Sequence, residues 1–541
     1  MVMTAFATAP VERILKNGQF ITADARFSIA EAVAIAGDRI VAVGPWAAVE
    51  RLVQPNTRID DLGGASVLPG LIDAHTHMLQ TGVLLRNEQL YDCRSIGEIL
   101  DRVRARAANT PPGGWIVGRG WDESLLAERR YPTRWELDEA APDHPVVLNR
   151  VWNKLVCNSR ALALAGVNRA TRQPSGETYA GGFDVDARGE PTGLFRDNAK
   201  QMILAHVPPM TRGEHIEVVS EACRAYNAVG MTTIADPGLT LEEFGSYAAC
   251  RSDDRLTVRS HLMVGAWGFY PPGLDYHAII EGLGVAAGFG DAWLRYDAVK
   301  FMVDGGIGDR TAAISVPYLG GGAGAFIVPP DQLTAEIRWC HDHDWPVECH
   351  TCGDRAQAAV VDAIVAAQDA APKPHLRHRV HHAYMPDDDT LAKMAAYGIP
   401  AVIQPGFLYS LGESFVTSLG MERARAMIPA CRYLTAGVPL AGSSDSPVAD
   451  YNPFVGIWAA IARQTAAETD LDESQSLTRE EAIRLYTTGG AFAIREERTR
   501  GTIASGMLAD FVVLNRDILA CPTNDIRAIA PRRTIVGGVD M

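Results

Sequence analysis

Residues 67–77 read Val-Leu-Pro-Gly-Leu-Ile-Asp-Ala-His-Thr-His, an apolar run that ends on two histidines one residue apart. In an extended strand, side chains two apart project to the same side, so His75 and His77 can offer both imidazoles to one metal ion at the strand's C-terminal end. An isolated H-x-H pair arises often by chance, and its bland reading is a pair of core histidines bonded to backbone carbonyls. Position gives this pair weight: a closed barrel of alternating strands and helices gathers its chemistry at the C-terminal ends of its strands.

Working outward from this stretch, strand-like apolar runs recur at 66–73, 231–235, 258–264, 296–303, 346–350, 378–382, 399–404 and 439–442, with helical stretches between most of them. These runs number eight, as a (β/α)8 barrel of the TIM type requires, and predict an α/β fold. The gap between the first two exceeds any single crossover helix and predicts an inserted module at about 84–209, rich in Gly, Pro and Trp. Short β-like runs at 13–21, 32–36 and 39–43, and again at 511–514 and 534–536, cannot bury a face alone. They predict a composite β-sandwich of residues 1–66 and 505–541 beside a barrel domain at 67–504. No internal repeat and no low-complexity tract stands out.

The later strand ends repeat the pattern of the first. Lys300 lies inside Tyr-Asp-Ala-Val-Lys-Phe-Met-Val-Asp at 296–304, where a free ammonium is costly to bury. His350 ends Val-Glu-Cys-His, His382 ends Arg-Val-His-His, and Asp445 ends Leu-Ala-Gly-Ser-Ser-Asp. Each alone has a structural alternative: a carbonyl-bonded core histidine, a snorkelling lysine, a turn-capping aspartate. Strand ends one, four, five, six and eight carrying H-x-H, Lys, His, His and Asp together are hard to assign to accident. Cys349 and Cys352 bracket His350 with C-x-x-C spacing, but no second pair accompanies them, so small core residues are a better reading than a structural zinc.

Composition excludes some classes. Sixty-five acidic against 50 basic residues give a net charge of −15, which repels phosphate backbones and argues against a nucleic-acid partner. No apolar run is long enough to cross a bilayer, and the start MVMTAFATAP lacks a secretory pattern, so a cytoplasmic chain with no membrane partner is expected. The nine cysteines are scattered rather than set in a disulfide framework, as reduced thiols would be.

The flanking words complete the pattern: LPGLIDAHTH at 68–77, GRGWDE at 118–123, NSRAL at 158–162, GEPTGLFRDNA at 189–199, GMTTIADPG at 230–238, VKFMVDGGIGDRTA at 299–312, HTCGDRA at 350–356, HRVHHA at 378–383, GSSDSPV at 442–448 and GTIASGMLADFVVLNRD at 501–517. Together they resemble the amidohydrolase superfamily, and within it the amidohydrolase family 3 branch that includes N-substituted formamide deformylases. The resemblance covers nearly the whole chain. It implies that His75, His77 and Asp445 hold a buried divalent ion, that His350 and His382 hold a second, and that Lys300 is N-carboxylated to an anionic bridge between them. Zinc is the metal such nitrogen and carboxylate donors suit best.

The implied activity is hydrolysis of a C–N bond other than a peptide bond, in an amide, an N-substituted formamide or a related small molecule. The nucleophile would be a water activated between the ions as hydroxide, with Asp445 as proton shuttle. Two alternatives stay open: the same metal site acting on an ester, C–C or other bond, and a non-catalytic metal-binding regulatory homologue. Self-association into a homo-oligomer is compatible with either. Trp121, Asp122 and Arg310 stand in family words near the expected barrel mouth and are candidate substrate contacts, with packing of the inserted module on the barrel as the equal alternative. The chain departs from the family's usual words at His381, where the branch commonly has Glu. It departs again at Trp152-Asn153, often Gly-His, and at Gly306 and Asp309, usually serines. Alternation along the strand predicts that His381 points away from His382 and either serves structure or supports the ligands from behind, rather than binding metal itself.

Overall fold

The run 66–73 is not one strand. Ser66–Pro69 and Leu71–Asp73 are separate, broken at Gly70, where the backbone runs so close to its neighbours that a Cβ would lie 2.2 Å from Thr232 Oγ1 and 2.8 Å from Asp510 Cβ. Only glycine permits that approach. The Gly70 N–H donates to the Asp510 carbonyl at 2.8 Å, and the chain passes there from one sheet into another. The structure, a computed structural model, describes residues 10–121, 123, 126–150, 154–174, 181–266 and 275–541. Asp122, Trp152 and Asn153 of the sequence reading lie outside these residues.

The chain forms two compact units, Met1–Leu79 with Ile216–Met541, and Gln80–His215. In the first, eight parallel strands follow one another: β1 (Leu71–Asp73), β2 (Met231–Leu239), β3 (Arg259–Gly265), β4 (Leu294–Met302), β5 (Val347–Thr351), β6 (Arg379–His382), β7 (Ala401–Ile403) and β8 (Leu440–Gly442). Each pairs in parallel register with the next. The circle closes between β8 and β1 through Ala74 N–H to Gly442 O at 3.3 Å and Asp445 N–H to His75 O at 2.8 Å. Every position of β3, β5 (apart from half-buried His350) and β6 is buried, as expected of parallel strands covered on both faces. Ala74, Val402 and Ala441 of or next to the strands pack with Ala493 into one small buried cluster.

The second sheet of this unit draws on both ends of the chain. In spatial order its strands are Val539–Asp540, Pro531–Val536, Phe511–Leu514, Ser66–Pro69, Arg13–Ile21, Ile29–Ala36 and Arg39–Gly44, with Arg58–Asp61 also on Arg13–Ile21. Leu15, Phe20, Val33, Val67, Phe511 and Ile535 form its core. A buried bidentate ion pair, Arg259 Nε and Nη2 to Asp510 at 2.8 and 2.9 Å, ties it to β3.

The other unit holds a six-stranded sheet of Gly182–Val185, Pro191–Arg196, Lys154–Cys157, Val146–Asn149, Ile116–Arg119 and Glu88–Gln89, in that order. Helices Ile96–Ala108 and Arg134–Ala140 cover it, each started by a side-chain cap, Ser95 and Thr133. Trp121 belongs to this unit's core. It is fully buried, its indole N–H donates to Leu148 O at 3.2 Å, and its ring meets Tyr131 edge-on. Among the described residues no helix is long and apolar enough to cross a membrane.

Candidate metal centre

The ends of β1 and β8 are zipped together, and that brings the first cluster into being. Asp445 N–H donates to His75 O, and His77 N–H donates to Ser446 O, both at 2.8 Å. The side chains follow: Asp445 Oδ1 lies 3.1 Å from His75 Nε2 and 3.4 Å from His77 Nε2. His75 is 1 % exposed, His77 22 % and Asp445 9 %, so the cluster is most exposed at His77. Asp445 holds φ at 53°, in the left-handed region, a strain of about 1–3 kcal/mol that clusters at functional sites.

A second cluster lies beside the first at the ends of β5 and β6. The ring of His382 is 4.2 Å from that of His350 and 5.3 Å from that of His75, centroid to centroid. Cys352, just past β5, joins them with Sγ 3.3 Å from His350 Nε2. His382 Nδ1 donates to Gln404 Oε1 at 2.9 Å, and Gln404 is itself fixed by donating to Ser443 Oγ at 2.9 Å, which leaves His382 Nε2 free to face the cluster.

Beneath both lies a polar hub inside the barrel. Glu348 Oε1 is 2.9 Å from His75 Nδ1, 3.0 Å from His381 Nδ1 and 3.2 Å from Lys300 Nζ. The two histidines also touch through their Nδ1 atoms. Arg379 stands 3.6 Å from Glu348 Oε2 and pairs with Asp297 below. Strand alternation explains the set, because Glu348 and His350 lie two apart on β5, and Arg379 and His381 two apart on β6, all turned inward. His381 therefore does not point away from the site, as alternation with His382 predicted. It faces the interior, while His382 at φ 69° and Ala383 at φ 51° break the alternation and turn His382 to the mouth.

Burial decides the charge states. Desolvation, with the Lys300 ammonium, pushes His350 down to about 3 and, with neighbouring histidines, holds His381 and His382 well below the usual imidazole range. These rings are neutral, as metal-binding imidazoles must be. Burial works to raise the Asp445 carboxyl, but His75, His77 and His382 outweigh it and hold it ionised. Burial and Lys300 oppose a charge on His75, yet Asp445 and Glu348 prevail and raise it.

Donor chemistry fits divalent ions at two places. His75, His77 and Asp445 place their ligand atoms within 4.8 Å of one another, and so do His350, Cys352 and His382. A third such group, His75 with Glu348 and His381, shares His75 and carries the Lys300 contact, which makes it the support of the others. Asp304, at the end of the run containing Lys300, accepts from Cys352 N at 2.9 Å, Gly353 N at 2.8 Å and Ala313 N at 2.9 Å. It pins the loop that carries Cys352. Arg310 is exposed, sits at φ 58° and donates to Thr417 O at 3.3 Å.

Glu348 and Cys352 are the residues that sequence reading missed at this centre. The signal for Glu348 was its spacing of two from His350; for Cys352 it was proximity to a strand end, obscured by the C-x-x-C spacing.

The amidohydrolase family model matches residues 58–539. The Bacillus subtilis (strain 168) protein YtcJ is 30 % identical over 498 residues, covering 90 % of this chain and 91 % of its own. The N-substituted formamide deformylase of Arthrobacter pascens is 28 % identical over 559 residues, covering 97 % of each chain. Among solved structures, a metal-dependent hydrolase of Pyrococcus furiosus superposes with a TM-score of 0.76 at 25 % identity, over 94 % of this chain and 99 % of its own.

Proposed function

The chain belongs to the amidohydrolase family and is a metal-dependent hydrolase of that family; from that premise we propose that it cleaves the C–N bond of an amide or N-substituted formamide of a small molecule. The observation that carries this reading is the placement of the ionised Asp445 carboxylate against His75 and His77, beside the His350 and His382 cluster at the open end of the barrel. The match to a formamide deformylase along nearly the whole of both chains supports the bond type.

His75, His77 and Asp445 would hold one divalent ion, His350 and His382 a second, and zinc is the natural choice for this donor set. When bound, such ions polarise a carbonyl and make water a strong nucleophile near neutral pH. The rest falls to the protein. With Oδ1 turned to the two histidines, the second oxygen of Asp445 takes the proton of the attacking water and passes it to the leaving nitrogen as the C–N bond breaks. His75 is held in one tautomer by Glu348 on its far side, which keeps Nε2 aimed at the mouth. Lys300 has two roles within reach. As an ammonium it neutralises Glu348; N-carboxylated by carbon dioxide, with a proton released from its nitrogen, it would instead supply anionic carboxylate oxygens to help hold the ions, and we assign it that role in the loaded enzyme.

The deciding experiment sets the purified, zinc-loaded protein against paired N-substituted formamides, larger amides and matched esters, with released amine and acid quantified. Turnover confined to the C–N substrates supports the proposal. Turnover confined to esters would replace the bond assignment while keeping the metal centre, and none on any member would favour a regulatory homologue.

A further inference from the structure

His350, Cys352 and His382 bring an unusual donor together. Cys352 is 4 % exposed, its Sγ lies 3.3 Å from His350 Nε2, and its sulfur and one nitrogen of each histidine fall within 4.8 Å of one another. We propose that Cys352 is a thiolate ligand of the second ion, which makes that position a His2Cys site beside the His2Asp site of His75, His77 and Asp445. This rests on the metal-centre reading above.

Three features separate Cys352 from an ordinary core thiol. Its backbone is immobilised, because the N–H donates to Asp304 Oδ1 at 2.9 Å while the other Asp304 oxygen takes the N–H groups of Gly353 and Ala313 at 2.8 and 2.9 Å. His382 is oriented from behind by Gln404, so its free nitrogen faces the sulfur's cluster rather than a carbonyl. The sulfur lies beside Asp304, Asp445 and Tyr384, and burial with the two carboxylates keeps it a neutral thiol until an ion takes the proton's place. The sequence pair does not act as a pair. Cys349 lies on β5 between Glu348 and His350, on the strand's opposite face by alternation, and among the described residues it shares no metal-ligating group with Cys352.

The chemistry balances simply. On binding a divalent ion the thiol S–H bond breaks, a sulfur–metal bond forms, and one proton leaves to solvent, since a coordinating thiol is deprotonated by the ion's field. Each position then owns an anionic ligand, Asp445 for the first and Cys352 for the second. Thiolate donation also favours soft, zinc-like ions over magnesium or calcium at the second position.

The test uses the full-length protein stripped by chelator and reloaded with cobalt(II). Thiolate bonded to cobalt(II) gives a near-ultraviolet charge-transfer band that nitrogen and oxygen ligands do not. The wild type and Cys349→Ser should both show the band once two ions per chain are bound, whereas Cys352→Ser should lack it and hold its second ion at least about tenfold more weakly. A wild type that binds two cobalt ions without the band overturns the ligand assignment even if Cys352→Ser fails to fold. Retention of both ions at unchanged affinity in a folded Cys352→Ser does the same. A chain that binds no ion at all by elemental analysis overturns the metal centre itself.

Discussion

Glu348 Oε1 lies 2.9 Å from Nδ1 of His75, on the opposite side of the ring from Asp445, which approaches Nε2. One imidazole thus spans from the barrel interior to the mouth, with a carboxylate at each nitrogen. Interior carboxylate–histidine contacts of this kind fix tautomer and ring orientation for metal binding. Glu348→Gln keeps the shape and removes the charge, so in the metal-free protein the Lys300 ammonium is left buried without a counter-ion. We expect zinc affinity to drop about 10- to 100-fold and folding stability to fall by about 3–5 kcal/mol. Competition with a chelating dye and urea unfolding measure the two effects. Wild-type zinc affinity in a folded variant would reduce Glu348 to a mere partner of Lys300.

Much of this centre was legible because it violates the rule for apolar strands. Histidine, lysine and aspartate at the ends of buried runs carry a desolvation cost that a sequence displays openly, and five of the eight strand ends display it. Glu348 shows the same cost but sits mid-strand, where it reads as one polar residue among many. The placement of His381 was misjudged because alternation holds only while φ stays extended, and the turn at His382 to 69° has no sequence signature in a non-glycine residue. Gly70 did carry a signal, the Pro-Gly pair, but the apolar run across it hid the change of sheet. The strand order of the Gln80–His215 unit depends on long-range pairing that no local pattern encodes.

Lys300→Ala separates the two roles open to that lysine. If the bridge is a carbamate, the variant should lose its second ion and most of its turnover, and a short carboxylic acid in the buffer should restore part of both. If Lys300 only neutralises Glu348, the variant should lose stability with no rescue by acid. Metal content with and without propionate, read beside an unfolding curve, decides between them.

Asp297 anchors the floor of the barrel and gives the fold a defined acid limit. Burial opposes its charge, but Arg379 and Arg495 outweigh that and hold it far below the ordinary carboxylate value. A carboxyl depressed in the folded state contributes stability that is fully present above its unfolded pKa, about 3.9, and is lost as pH falls through the folded value. Asp297→Asn should therefore cost about 3–5 kcal/mol at neutral pH by stranding Arg379. The gap between variant and wild type should narrow only below about pH 4. Circular-dichroism unfolding at a series of pH values tests this, and a gap that closes between pH 5 and 8 would contradict the assignment.

Asp445 is asked to hold an ion and to move a proton, and a single substitution can separate the two. Asparagine keeps an oxygen toward His75 and His77 but cannot accept a proton at working pH, so Asp445→Asn should retain much of its first ion while turnover collapses. Loss of general acid–base assistance sets the scale at about 10²- to 10⁴-fold in kcat. Removal of a ligand charge adds a smaller metal deficit, which excess zinc in the assay should correct without restoring the rate. Asp304 is poorly placed to substitute, because its two oxygens accept three backbone N–H groups. His381 is enclosed by His75 and Glu348 and has no exposed face. An Asp445→Asn enzyme holding both ions and working within a few-fold of wild type would therefore require the proton to travel by solvent alone, and the shuttle assigned to this carboxylate would fall.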